Sequence, residues 1–220
     1  MDDSLDGPRW GPASGGKPRH LVMLLHGVGA DGFDLIDLAP SWARAVPDAL
    51  FIAPHAPEPC DMAPHGRQWF SLQDRSPARL LTGVQAASAW LRPRLDRALA
   101  EFGLGRNDLA LMGFSQGAMT ALFAGLRQPG GCAAVLAFSG ALVAPESLAA
   151  ERQASPPVLL VHGESDDVVP AAASHRAEQA LAQAGIPVEA AYRPGLGHGI
   201  DEFGISLGAL TLQRALRPAA

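Results

Sequence analysis

Cysteine is nearly absent from the 220 residues: Cys60 and Cys132 are the only two, 72 positions apart. That separation makes neither a CxxC motif nor a disulfide framework. It reads as two reduced thiols, with Cys132 in a buried strand. Runs of Lys and Arg are missing too. Seventeen basic against 22 acidic residues leave a net charge of −5, which excludes the clustered cations that a nucleic-acid surface needs. Long apolar stretches do not occur either. The longest, 135–144, is broken by Ser139 and Gly140, whereas a bilayer span takes roughly 20 apolar residues. No stable membrane insertion is expected. Neither HExxH nor a comparable ligand spacing exists, so no metal is expected. The first 18 residues carry acidic, Gly, Pro and Ser positions without the basic-then-apolar pattern of a secretion signal. They read as a flexible tail ahead of one domain over 19–220, in a cytoplasmic protein.

Apolar material is plentiful. Hydrophobic residues make up 48% and charged residues only 18%, a balance that excludes general disorder and suits one buried core. Short apolar runs at 20–27, 49–54, 108–113, 133–140, 157–163 and 188–193 alternate with helical patterns at 34–46, 82–102, 116–127, 172–184 and 205–216. Strands that are apolar throughout, alternating with helices, predict an α/β fold with a mostly parallel sheet covered on both faces. Pro40 marks a break or a start in the first helical pattern, and Pro93 a kink in the second. Residues 55–81, rich in Pro, His, Gly and Asp, form a long connection of the kind that carries function.

Between the third strand and its helix stands Gly113-Phe114-Ser115-Gln116-Gly117. Small residues two before and two after a serine allow a sharp strand-to-helix turn that lifts the hydroxyl above the sheet. The pattern alone is common; its placement between an apolar strand and a helix gives it weight. A serine hydroxyl is a weak nucleophile and needs a base with an orienting acid. In this fold class the order is Ser, acid, His. His162, His175 and His198 lie downstream, and His198 sits in the glycine-rich Gly195-Leu196-Gly197-His198-Gly199 after the last strand, the best place for the base. Asp166 and Asp167, after the strand ending at Gly163, are the candidate acids. Asp167 also suits helix capping, and Asp201 is too near His198 in sequence to come first. Acyl transfer also needs oxyanion donors. The backbone N–H groups of Gln116 and of Val28, in the loop after the first strand, fill those places. His26 reads as a structural hydrogen-bonder, and His55 and His65 as loop residues.

These segments resemble the phospholipase/carboxylesterase family of α/β-hydrolases, which includes acyl-protein thioesterases. LLHGVGADGFDLIDLAP (24–40), QWFSL (68–72), GFSQGA (113–118), VHGESDDVVP (161–170) and GLGHGI (195–200) occur in the family's order and span almost everything after residue 20. The resemblance implies an α/β-hydrolase fold, a Ser115–Asp166–His198 triad and an oxyanion hole of Val28 and Gln116. It implies no cofactor, and an acyl site bordered by Trp69 and Leu72. The family often has Pro after the acid, where this chain has Asp167. The expected reaction is hydrolysis of small carboxylic esters with short to medium acyl chains, by a monomer or homodimer. Acyl-protein thioesterase or lysophospholipase activity is the alternative. A non-catalytic binding module on the same scaffold is the reading from a different class.

Overall fold

A computed structural model describes residues 5–216. The strands are β1 (Arg9–Trp10), β2 (His20–Leu25), β3 (Ala49–Ile52), β4 (Glu58–Pro59), β5 (Arg67–Gln68), β6 (Leu109–Phe114), β7 (Ala134–Phe138), β8 (Val158–Gly163) and β9 (Val188–Arg193). The helices are α1 (Phe33–Ile36), α2 (Ala39–Trp42), α3 (Pro77–Phe102), α4 (Gln116–Arg127), α5 (Leu148–Glu151), α6 (Ala172–Gln183) and α7 (Glu202–Ala215). Seven strands form one sheet in the order β1-β3-β2-β6-β7-β8-β9. All its pairings are parallel except the β1–β3 pairing at one edge.

The alternation along β2 shows how the layers are built. Leu21, Met23 and Leu25 face a core shared with α3, α4 and α6, whereas Val22 and Leu24 face a second core shared with α2 and α7. Both faces are therefore dry, which is why the strands read as unbroken apolar runs. The chain leaves β2 for β3 on one side, then crosses back so that β6 lies on the other. That reversal opens a crevice beyond the carboxyl ends of β2 and β6, the place where open α/β sheets bind ligands.

Four readings of the sequence need correction. Residues 5–18 are not a loose tail; residues 1–4 lie outside the described range. Arg9 and Trp10 pair with Ile52 and Phe51, and Leu5 is buried. The strand is too short to show a periodicity, yet it covers backbone that β3 would otherwise expose at the sheet edge. The second long helix begins at Pro77, with Pro at its first turn where the missing N–H costs nothing, and runs through Pro93 to Gly103. Its stripe of Val84, Ala87, Leu91, Leu95 and Ala98 is buried in the core and holds it there. The 55–81 connection is accordingly shorter, and within it β4 and β5 pair antiparallel. Cys132 is buried but precedes β7. It and Cys60 are both free, and burial pushes the Cys132 thiol up to about 12, which leaves it inert.

Candidate active site

Ser115 follows β6 directly and precedes α4, with φ 54° and ψ −115°. Few non-glycine residues adopt a positive φ, and such strain persists only where the surroundings enforce it. Here they do. The Ser115 N–H donates to Phe138 O at 2.9 Å, and a Cβ on Gly117 would run into the carbonyls of Leu25 and His26. Glycine at 117 is thus what lets α4 start against β2. The partial positive charge of the α4 N-terminus lies beside Ser115.

The loop after β2 passes close to the serine turn. A Cβ placed on Gly27 would lie 3.4 Å from the Ser115 Cβ, and Val28 is the next residue. Among the described residues, neither the Val28 nor the Gln116 N–H donates to a backbone carbonyl, which leaves both free for a substrate oxygen. His26 fixes the loop. Its Nδ1 faces the Gly27 carbonyl at 2.7 Å and must carry the proton, while Nε2 accepts from the Ala56 N–H at 3.0 Å. Burial pushes its pKa down, against the Gly27 carbonyl, which raises it. With both nitrogens engaged, His26 is a structural hydrogen-bonder, as its sequence position suggests.

On the far side, Asp166 is buried in the turn after β8. Its Oδ1 accepts from Val168 N (2.9 Å) and Val169 N (2.8 Å), and its Oδ2 from His198 Nδ1 at 2.7 Å. Burial raises its pKa, but the His198 hydrogen bond and the two amides outweigh it and hold the carboxyl below the usual range. The Nδ1–H of His198 is committed to the carboxylate, so Nε2 keeps its lone pair. The imidazole packs on Phe114, with ring centroids 4.8 Å apart, one residue from Ser115. Ser115 and His198 share no hydrogen bond among the described residues; such contacts often tighten only when substrate arrives. Asp167 is exposed and caps no helix, since α6 begins at Ala172 with Ala171 as its N-cap. Asp201 caps α7 through Gly204 N and binds Arg193 Nε, both at 2.8 Å. It is thereby excluded as the orienting acid. His175 is exposed and stacks on Tyr192.

A family model described as Phospholipase/Carboxylesterase matches residues 13–206. The chain belongs to the phospholipase/carboxylesterase family. It is 34% identical to esterase YpfH of Escherichia coli over 194 residues, 84% of this chain and 78% of that one. It is 26% identical to acyl-protein thioesterase 1 of Gibberella zeae, over 80% of this chain and 82% of that one. The crystal structure of esterase PE8 superposes with a TM-score of 0.91 at 43% identity, covering 97% of this chain and all of that one.

Within this phospholipase/carboxylesterase scaffold the 67–72 segment does work that sequence reasoning placed elsewhere. The resemblance set Trp69 at the border of an acyl site. Its ring is instead 1% exposed, and its indole N–H donates to the His26 carbonyl at 2.8 Å. Trp69 thereby ties the 67–72 segment to the loop after β2. Leu72 is half-buried and packs on the first core with Leu80 and Leu81. The Gln116 side chain is the larger surprise, because only its backbone entered the sequence reading. Its Oε1 accepts from Trp69 N at 2.9 Å and its Nε2 donates to Phe70 O at 2.6 Å. The side chain of the residue after Ser115 therefore clamps the 69–70 segment. The shared presence of Gln116 and the Trp-Phe pair was the available signal. Gln116→Ala strands one buried donor and one buried acceptor. It should cost about 2 kcal/mol of stability, which at this length lowers Tm by about 6 °C, and calorimetry measures it.

Two grooves open beside these segments, and neither is lined by Ser115 or His198. One of about 270 Å³ is lined by Leu35, Leu38, Phe114 and Ile200, with Asp34 and Asp37 at its rim. Another, about 460 Å³, runs from Gly29 and Ala30 past Phe33 to Ala63. Among the described residues no helix is long and apolar enough to cross a membrane.

Proposed function

We propose that this chain is a serine carboxylesterase that cleaves carboxylic esters of short to medium acyl chains through an acyl-enzyme. The observation that carries the reading is the 2.7 Å His198–Asp166 hydrogen bond on a loop packed one residue from the strained Ser115. Ser115 Oγ attacks the ester carbonyl and His198 Nε2 takes its proton. The oxyanion is held by the N–H groups of Val28 and Gln116. Collapse breaks the carbonyl–oxygen bond, and His198 returns the proton to the departing alcohol. Water then enters, loses a proton to His198, and releases the acid from Ser115 by the same path in reverse. Asp166 stays ionised and steadies the imidazolium.

A fluorophosphonate probe should label the native protein at Ser115, located by peptide mass analysis. Active-site labelling elsewhere, or none, rules the mechanism out and favours a non-catalytic binding role. The similarity to an acyl-protein thioesterase supports a second reading with the same residues, since thioesters and lysophospholipids differ from simple esters only in the leaving group. Ratios of kcat/KM across esters, thioesters and lysolipids of graded chain length separate these.

A further inference from the structure

We propose that His162 is a positioning residue for this reaction, holding the Asp166 carboxylate so that the site runs on a His198–Asp166–His162 array. The inference rests on the triad reading above. His162 is the penultimate residue of β8 and is 1% exposed. Its Nε2 lies 2.7 Å from the Val169 carbonyl. A carbonyl only accepts, so Nε2 carries the proton. Its Nδ1 lies 2.6 Å from Ser174 Oγ on α6, and in the neutral ring that nitrogen must accept the serine hydroxyl. Two partners thus fix one tautomer.

The protonated Nε2 is also 3.2 Å from Asp166 Oδ2, the oxygen that receives His198 Nδ1. Val169, whose carbonyl His162 holds, donates its own N–H to Asp166 Oδ1. One imidazole therefore acts on both carboxylate oxygens: on Oδ2 directly by its N–H dipole, and on Oδ1 through the backbone it anchors. His198 and His162 are the titratable side chains in contact with the Asp166 carboxylate among the described residues. Glu164 and Asp167 flank it on the same loop and are exposed. A buried histidine serving only the core would need two satisfied nitrogens. It would not need one of them to face the acid that orients the base.

The distinction is testable because Gln and Asn each reproduce one imidazole nitrogen. The amide nitrogen of His162→Gln falls where Nε2 stands; that of His162→Asn falls near Nδ1. His162→Asn should lower kcat for a soluble ester about tenfold, which is about 1.4 kcal/mol on the barrier, with KM nearly unchanged. It should also move the acid limb of the kcat/KM profile up by about half a pH unit, because a carboxylate that no longer faces the His162 N–H dipole stabilises the His198 imidazolium more. His162→Gln should recover most of kcat and the native midpoint. Equal losses in the two variants, or a folded His162→Asn with native kcat and midpoint, overturn the proposal. If His162→Asn does not fold, Ser174→Ala replaces it. Loss of the Nδ1 anchor should then let the ring shift off the carboxylate and lower kcat about threefold with the same direction of pH shift, and a native profile overturns the proposal. Ser115→Ala is run alongside. An active Ser115→Ala ends the triad reading and this inference together, whereas an inactive one beside a native-like His162→Asn ends this inference alone.

Discussion

Ser115→Ala should lower kcat for ester hydrolysis by about a million-fold, the scale seen when a triad nucleophile is removed, with the fold retained. The substitution deletes the only atom that can form the acyl-enzyme. Asp166 and His198 have no other route to the carbonyl carbon, and the oxyanion donors stabilise an intermediate that no longer forms. The residual rate is that of water attacking an ester held in the crevice. Stability should rise slightly or stay level. Ala tolerates φ 54° no better than Ser, but the Ser115 N–H to Phe138 O bond is backbone and survives. Stopped assays with a chromogenic ester and a thermal melt on the same sample measure both. A variant with a native kcat would overturn the mechanism, because nothing else in the crevice is a poised nucleophile in this account.

Asp166→Asn should cost about ten-thousand-fold in kcat. The amide matches the carboxylate in shape, so its oxygen can still accept from Val168 N and Val169 N. Its nitrogen then points at His198 Nδ1, where it can only donate. The imidazole must turn over its tautomer, Nε2 acquires the proton, and the base is lost. This is a chemical loss rather than a geometric one, so kcat and kcat/KM fall together. Stability carries a second signature. The folded-state pKa of Asp166 lies below the ordinary carboxylate value, so the native protein binds this proton less readily than the unfolded chain. The stabilisation is fully present above the unfolded value and disappears as pH falls through the folded one. In acid titrations followed by fluorescence, the native protein should therefore lose stability over that range more steeply than Asp166→Asn. Parallel curves would mean that Asp166 is not held ionised by its neighbours.

Local patterning made the strands and most helices legible. The inner strands β2, β3, β6, β7 and β8 are short apolar runs because both their faces are buried, and Leu21, Val22, Met23 and Leu24 go alternately into the two cores. The serine turn was legible for a steric reason, since only glycine at 117 lets α4 begin against the Leu25 and His26 carbonyls. Chain order then pointed to His198 and to the pair Asp166 and Asp167. The β1 strand was not legible, because a two-residue strand has no period. Nor was the support of the loop after β2 by Gln116 and Trp69, where the partners are 47 residues apart.

The sequence by itself determined the class of fold, the nucleophile turn and the short list of acids and bases. All of these are set by near neighbours in the chain, through sterics and hydrophobic alternation. The tertiary structure alone brings Asp166, not Asp167, against His198, ties the buried Trp69 to the His26 carbonyl, and sets His162 against the carboxylate. Those outcomes depend on which buried polar atoms meet once the strands lie side by side. A hydrogen bond needs its partners within about 3 Å, a condition that no spacing along the chain specifies.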